Sequence, residues 1–246
     1  EQLKHFFMNS ISQKFDFNPR GVGLNNGNFI GLPFTESSAN VVLIPVPWDV
    51  TVSYREGTAL APQAILNASV QLDLFDADVK DAWKLGIFMQ PVDAKISETG
   101  NRIRPKATQY IKFLETGGSL SENAEMVAIL EEVNAQCNEV NNWVYHQCKK
   151  QLKAGKMVGI IGGDHSVPLG FLKAIAERYD SFGVLQIDAH HDLRESYEGF
   201  AYSHASIFYN ALQIEEISKL VQVAIRDYCK EEVCKEAERF GGNPLR

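Results

Sequence analysis

The chain lacks clustered positive charge and long apolar segments, and both absences exclude classes of function. Its 246 residues carry a net charge of −7, and no basic cluster is longer than the pair Lys149 and Lys150. Because surfaces that bind nucleic acid normally carry a basic patch, we expect no nucleic-acid partner. No apolar run approaches the roughly 20 residues of a membrane span, and the N-terminus lacks the apolar core of a signal peptide. We therefore expect no membrane partner either.

Cysteine is scarce and is not arranged for metal binding. None of the four cysteines forms a Cys-x-x-Cys pair, and their spacing fits no zinc ribbon. A free cysteine usually behaves as a small buried hydrophobe, so we predict structural roles for these thiols. Reduced thiols are typical of a cytoplasmic protein, which is the location that we predict.

Short apolar runs of strand length alternate with segments of helical periodicity. This alternation predicts an α/β fold of three α-β-α layers, with a mainly parallel central sheet covered by helices on both faces. The predicted strands span residues 41–46, 84–88, 157–161, 182–187 and 220–225. The predicted helices begin at Pro62 and otherwise span residues 125–154, 167–178, 204–213 and 229–240.

Two segments do not follow this alternation. Residues 98–118 are polar and poorly periodic, so no helix is predicted there. Residues 1–40 are rich in Asn, Gly and Phe and predict an irregular N-terminal arm. The α/β domain is therefore expected to span residues 41–246.

Metal-ligand residue types follow two of the predicted strands. Residues 188–192 read Asp-Ala-His-His-Asp, and residues 162–166 read Gly-Gly-Asp-His-Ser. If the strand geometry persists to residue 192, the alternate side chains of Asp188, His190 and Asp192 share one face. Because sites form beyond the carboxyl ends of parallel strands, His165 is expected to join them. The sequence therefore predicts one shared cation site.

The composition of this predicted site favours a pair of metal ions. Carboxylates combined with imidazoles suit Mn²⁺, Fe²⁺ or Zn²⁺. A single catalytic zinc ion usually has three protein ligands, whereas four candidates suit two ions bridged by a carboxylate and a water. Such a pair makes hydroxide available near neutral pH and polarises the bond under attack. Attack of water on an unsaturated carbon is the chemistry that we expect.

Four neighbouring polar residues have candidate supporting roles. Asp164 is predicted to accept a hydrogen bond that orients the site, or alternatively to act as an anion at a helix N-terminus. Ser166 can cap the helix that follows. His191 is expected to point away and to pack or hydrogen-bond. His204, at the start of a later helix, is either a proton shuttle, a substrate contact or an exposed helix-terminal side chain.

The two segments resemble the first two metal motifs of the ureohydrolases, the family of arginase, agmatinase, formiminoglutamase and guanidino-acid hydrolases. Residues 47–65 also resemble the family's N-terminal loop and helix, and residues 223–227 resemble a later strand. The resemblance covers roughly residues 41–240 in the right order. It implies an arginase-like fold, a small guanidino or amidine substrate and a homo-oligomer, either a trimer or a hexamer.

The resemblance also implies the chemistry of the site. It implies two Mn²⁺ ions per complete centre, with His165, Asp188, His190 and Asp192 as ligands. The bridging hydroxide would attack a guanidinium or formimino carbon, and a tetrahedral intermediate would release urea or formamide. His204 matches a family His near the substrate that assists proton transfer or the leaving amine. Asp192 and His204 are therefore the predicted catalytic residues.

The chain departs from the arginase pattern at two positions that bear on the substrate. Leu193 and Arg194 follow the second metal motif, where arginases carry an Asn for the α-carboxylate, and Cys229 stands where they tend to carry a second Asp. Both departures argue against arginine. Residues 197–204 look agmatinase-like, so an agmatine-like substrate is expected, with formiminoglutamate or another guanidino acid as the alternative.

Two residues are predicted to contact the substrate, Arg194 and Ser203. The Arg194 guanidinium could bind a substrate carboxylate. It could equally pair with Glu195 or Glu198 on the surface.

The family's third metal motif, an acidic run of the form Ser-x-Asp-x-Asp, does not occur in the chain. We therefore expect that the C-terminal part of the domain is missing from this sequence. A non-catalytic paralogue that uses the fold for binding or assembly is the alternative. A deacetylase-related amidohydrolase is also compatible with an Asp-x-His element, although the Gly-Gly-Asp-His-Ser segment favours the ureohydrolase.

Overall fold

A computed structural model describes residues 17–232, and the structural statements below concern those residues. Strands and helices alternate along them, with short 3-10 turns between. In chain order the elements are β1 (Val41–Val46), α1 (Ala61–Ser69), β2 (Ile87–Met89), α2 (Ala94–Glu115), α3 (Ala124–Lys153), β3 (Met157–Gly162), α4 (Leu169–Ala176), β4 (Phe182–Ile187), α5 (Ile207–Ala211) and β5 (Ile217–Val223).

Every strand pair in the described part of the chain is parallel, which confirms the predicted α/β class. One sheet has the order β2-β1-β3, with Val42 opposite Phe88 on one side and Val158 on the other. The strands β4 and β5 pair separately, with Leu185 opposite Val221. Parallel strands need crossover connections, and the helices between them supply these. The candidate ligands lie in the segments that directly follow β3 and β4, at the carboxyl ends of these strands.

The main core lies between the first sheet and the helices α2 and α3. The α3 helix buries Met126, Ile129, Val133, Cys137, Val140, Val144 and Cys148, a spacing of three and four residues that lines one helical face. Asn123 caps its first turn, because the side chain accepts a hydrogen bond from the Met126 amide at 3.2 Å. The predicted helix over residues 125–154 is thus confirmed, displaced by one residue at each end.

A second core packs α4 and α5 against one face of β4 and β5. It contains Leu169, Leu172, Ile207 and Leu220. The opposite face of this strand pair is exposed in the described part of the chain, with Leu185 and its neighbours in solvent. Covering by helices on both faces is therefore not seen at β4 and β5.

The prediction for residues 98–118 is wrong, because α2 spans Ala94–Glu115. Asp93 caps the helix by accepting a hydrogen bond from the Ile96 amide at 3.0 Å. Pro105 lies inside the helix, where proline is disfavoured, and polar residues dominate its sequence. These two features obscured the helical spacing of the few apolar residues that the helix buries. The buried residues are Ile96, Ile103, Ala107, Tyr110 and Ile111.

Replacing Ile103 with alanine tests the burial of α2. The Ile103 side chain has no exposed surface and belongs to the main core. We expect a loss of about 2–5 kcal/mol in the free energy of unfolding, because the truncation leaves a cavity. Chemical denaturation measures this loss. The control is Arg102→Ala on the exposed face of the same helix, where a change within about 0.5 kcal/mol is expected.

The remaining boundaries differ from the predictions by a few residues. The helix predicted over residues 204–213 is a 3-10 turn, His204–Ser206, followed by α5. The strand predicted over residues 84–88 is β2, preceded by a 3-10 turn at Ala82–Leu85. Most of the helix predicted over residues 229–240, and residues 1–16 of the predicted arm, lie outside the described residues. Within residues 17–232, every helix is too short or too polar to cross a membrane.

Candidate metal centre

Three of the four predicted ligands converge where β3 and β4 end. The His165 Nδ1 atom lies 2.6 Å from Asp192 Oδ2 and 3.0 Å from Asp188 Oδ2. These three side chains form a group whose potential ligand atoms all lie within 4.8 Å of one another. Asp192 is the most buried of them, with 7% of its side chain exposed. One nitrogen and two carboxylate oxygens therefore face a common point.

The charges around His165 favour a cation at this point. Burial lowers the pKa of the imidazole, but its hydrogen bond to the Asp192 carboxylate and the charges of Asp192 and Asp188 outweigh that effect, so the pKa lies above its ordinary value. The two carboxylates therefore stabilise positive charge at this point. A divalent cation would bind the neutral ring of His165, because a metal and a proton compete for the same nitrogen.

His190, the fourth predicted ligand, lies beside this group and outside it. Its side chain is 56% exposed, with Nδ1 3.6 Å from Asp188 Oδ1 and Nε2 3.7 Å from Asp227 Oδ2. The expected alternation fails because the chain turns immediately after β4. The Asp188 side chain accepts a hydrogen bond from the His190 amide at 2.9 Å, and Asp192 adopts a left-handed backbone with φ 55°.

His191 and Asp164 are both held by hydrogen bonds away from the three-residue group. His191 is buried and bonds through Nδ1 to Gln222, as its predicted orientation requires. Asp164 accepts hydrogen bonds from the amide and hydroxyl of Ser166 and from Thr51 Oγ1, the last at 3.3 Å. Burial raises the pKa of the Asp164 carboxyl. Asp164 thus supports the loop of His165 through Ser166 and Thr51.

Two predicted residue roles require correction. Ser166 does not cap the next helix, because α4 begins at Leu169 with Pro168 at its N-cap and no side-chain cap. Ser203 is fully buried and caps the 3-10 turn that begins at His204, accepting a hydrogen bond from the Ala205 amide at 3.0 Å. Its hydroxyl is therefore occupied inside the protein and does not face a substrate.

His204 lines a cavity of about 530 Å³ beside the candidate metal centre. Asp192, His190 and Asp227 line the same cavity. The His204 Nδ1 atom is buried and has no hydrogen-bond partner among the described residues. An unpaired buried ring nitrogen is unusual in a folded protein, and it leaves the His204 imidazole without a partner that would fix its tautomer.

Arg194 also lines this cavity, with a different partner from those predicted. Its guanidinium lies 4.9 Å above the Tyr197 ring, and Nε is 3.9 Å from Glu232 Oε2. Glu232 is buried and accepts hydrogen bonds from the Leu193 amide at 3.3 Å and the Cys229 amide at 3.0 Å. The contact with Glu232 was not among the pairings that the sequence suggested for Arg194.

Thr51 and Glu232 were not identified from the sequence. Thr51 is 0% exposed, and its hydroxyl joins Asp164 to the His204 amide, which donates to it at 3.3 Å. Neither residue stands in a ligand-like pattern. The only available signal for Thr51 was its position in the loop of residues 47–65 that resembles the ureohydrolase pattern.

Parallel strands with a carboxylate and imidazole group at their carboxyl ends define an α/β protein with a candidate cation site. The model of the arginase family matches residues 39–242, and the chain belongs to that family. The suspected resemblance and the arginase-like fold are thereby confirmed.

Curated relatives are named for amidine hydrolysis. The chain is 33% identical over 194 residues to an N(1)-aminopropylagmatine ureohydrolase of Thermus thermophilus, covering 79% of the chain and 53% of the relative. It is 27% identical over 208 residues to an agmatinase of Neisseria meningitidis, covering 82% of the chain and 56% of the relative. The chain thus spans about half the length of the curated relatives that it matches.

Solved structures show the same fold at lower identity. The agmatine ureohydrolase of Thermoplasma volcanium superposes with a TM-score of 0.55 at 22% identity, over 92% of the chain and 59% of that structure. The formimidoylglutamase of Bacillus subtilis superposes with a TM-score of 0.58 at 17% identity, over 96% and 64%. These similarities establish the fold alone.

Proposed function

We propose that the chain provides the cation site and the substrate cavity of a ureohydrolase that cleaves a C–N bond in a linear amidine, with an agmatine-like substrate and urea as the product. The observation that carries the proposal is the convergence of His165, Asp188 and Asp192 beside a cavity that also holds His204. Membership of the arginase family and the names of the curated relatives support the same reaction class.

The donor set fits a divalent cation, and we propose manganese. Two neighbouring ligand atoms that each lie about 2.1 Å from the same six-coordinate ion are about 3 Å apart. The His165 Nδ1 atom is 2.6 Å from Asp192 Oδ2 and 3.0 Å from Asp188 Oδ2, which is close to that spacing. Asp188 turns one oxygen toward His165 and the other toward His190, at 3.6 Å from its ring. Asp188 therefore contacts both imidazoles, and together with His190 it would hold the second of the two ions that we propose per complete centre.

The residues around the cavity have separate proposed tasks in hydrolysis. When bound, divalent ions lower the pKa of water and polarise the bond under attack. His204, which lines the cavity, would transfer a proton to the leaving amine. Asp192 lines the cavity and would hold a bound ion together with His165, in place of the hydrogen bond that now joins the two side chains.

The charges on the cavity wall favour a cationic substrate tail. Asp227 is a largely exposed carboxylate at the cavity, whereas Arg194 already faces Glu232 and Tyr197. Agmatine-like compounds are cationic at both ends. Arg194 supports a second candidate function, hydrolysis of a guanidino acid or of formiminoglutamate. In that case a substrate carboxylate would bind the Arg194 guanidinium in place of Glu232.

Product release distinguishes these substrates. Protein incubated with Mn²⁺ is assayed for urea from agmatine, arginine and 4-guanidinobutyrate, and for formamide from formiminoglutamate. We expect urea from agmatine and loss of activity with a chelator. Protein that binds Mn²⁺ but hydrolyses none of the four would contradict the proposal and favour a binding or assembly role. The cytoplasmic location and the homo-oligomer stay predictions from the sequence.

Replacing His204 with alanine tests its role in proton transfer. We expect kcat to fall about 10²- to 10⁴-fold, because a positioned acid or base contributes that much. The Mn²⁺ content should stay at the wild-type value, since His204 is outside the three-residue group. The control is His146→Ala, which removes an exposed imidazole on α3. Turnover equal to that of the control would rule out the role.

A further inference from the structure

Arg104 on α2 forms hydrogen bonds with the loop of residues 49–59, which follows β1. Only 13% of its side chain is exposed. Its Nη1 donates to the carbonyl oxygens of Val50 at 2.9 Å and Val52 at 2.6 Å, and its Nε donates to Glu56 at 3.0 Å. Val50 and Val52 are the two neighbours of Thr51, so one guanidinium holds the peptide unit that precedes Thr51 and the one that follows Val52.

The loop fixed by Arg104 is also closed at its base. Asp49 is buried and accepts hydrogen bonds from the Gly57 amide at 2.7 Å and the Ala59 amide at 3.1 Å. A carboxylate that accepts two amide hydrogen bonds holds the two ends of the loop together. The loop therefore has two anchors, Asp49 at its base and Arg104 near Thr51.

Thr51 connects this anchored loop to the candidate active site. Its hydroxyl donates to Asp164 Oδ2 and accepts from the His204 amide, each at 3.3 Å. The next two residues after Val52, Ser53 and Tyr54, line the cavity that contains His204. A displacement of Thr51 would therefore move His204 and the cavity wall together.

We propose that Arg104 is a positioning residue for the hydrolysis, acting through Thr51 to place His204 and the cavity-lining loop. The inference rests on the proposed function for its effect on turnover. Its structural part, the dependence of the His204 segment on Arg104, stands without it. A guanidinium suits the task because its planar fork can bond two carbonyls and a carboxylate at once, which a lysine ammonium cannot do with the same geometry.

Hydrogen exchange of the intact protein tests this coupling without relying on activity. The Arg104→Met variant is compared with Thr51→Val, which removes the hydroxyl that accepts from the His204 amide. In both variants we expect exchange of the His204 amide to rise about tenfold, because the same hydrogen bond is lost or loosened. The matched control is Arg102→Met on the same helix, whose guanidinium bonds Glu132 on the surface and should leave this exchange unchanged.

Turnover gives the second readout for the same variants. With Mn²⁺ bound and agmatine as the substrate, kcat of Arg104→Met should fall about tenfold, because a displaced proton donor reacts more slowly. If Arg104→Met does not fold, Arg104→Lys replaces it, and both readouts are expected to change in the same direction. Unchanged His204 exchange in a folded Arg104 variant, while Thr51→Val raises it, would overturn the proposal. If the wild-type protein releases no urea, the proposed function is contradicted. The coupling of Arg104 to His204 is then decided by the hydrogen-exchange result alone.

Discussion

Replacing Asp192 with asparagine is expected to weaken Mn²⁺ binding at least about 100-fold. Loss of a residue that merely supports a metal ligand already costs 10- to 100-fold in affinity, and Asp192 is a proposed ligand itself. Asparagine has nearly the same shape and tolerates the left-handed backbone that Asp192 adopts, with φ 55°. The substitution therefore removes a charge and leaves the turn in place. Calorimetric titration with Mn²⁺ measures the change.

The control for this substitution is Asp180→Asn, an exposed residue just before β4. It removes the same charge without approaching the three-residue group, so wild-type affinity is expected. A cooperative thermal transition of the metal-free Asp192→Asn protein separates loss of binding from loss of folding. If Asp192→Asn binds Mn²⁺ as tightly as Asp180→Asn does, Asp192 is not a ligand.

Replacing Gly163 with alanine is expected to destabilise the protein by about 3 kcal/mol, through overpacking against a neighbouring strand end. A Cβ atom at this position would lie 1.7 Å from the Trp48 carbonyl oxygen and 2.9 Å from its amide nitrogen. These are backbone atoms that cannot rotate away. The Asp164 amide also donates a hydrogen bond to the Trp48 carbonyl at 2.8 Å. A shift of the Trp48 backbone away from the new Cβ atom would therefore strain this hydrogen bond.

Thermal unfolding measures the effect of Gly163→Ala. For a chain of this length, about 3 kcal/mol corresponds to a fall of about 10 °C in Tm. The matched control is Gly183→Ala in β4, where a Cβ atom meets nothing closer than 3.7 Å and Tm should change little. Because His165 lies two residues beyond Gly163, Mn²⁺ affinity should fall as well. Equal Tm values for the two variants would show that β1 and the His165 loop are not packed as described.

The strand ends were the predictable part of the site. Apolar runs before residues 162 and 188 placed two ligand-bearing segments at the carboxyl ends of parallel strands, and that placement is what brings His165 to Asp188 and Asp192. The position of His190 could not be predicted in the same way. Alternation holds only while the backbone stays extended, and the chain turns as soon as β4 ends.

The supporting residues could not be found from local patterns. Thr51, Arg104 and Glu232 act through hydrogen bonds to residues 39 to 153 positions away in the chain, so no short segment contains both partners. Arg104 also lies in α2, which was not predicted because Pro105 and a polar composition hid its buried stripe. Tertiary packing overrides weak local propensity in such a helix.

Anomalous diffraction from crystals soaked in Mn²⁺ tests the central claim most directly. We expect a peak at about 2–2.5 Å from His165 Nδ1 and from carboxylate oxygens of Asp188 and Asp192. A second peak between Asp188 and His190 would support the two-ion proposal. Manganese found only elsewhere, with the hydrogen bond between His165 and Asp192 intact, would contradict the assignment of these residues as a metal centre.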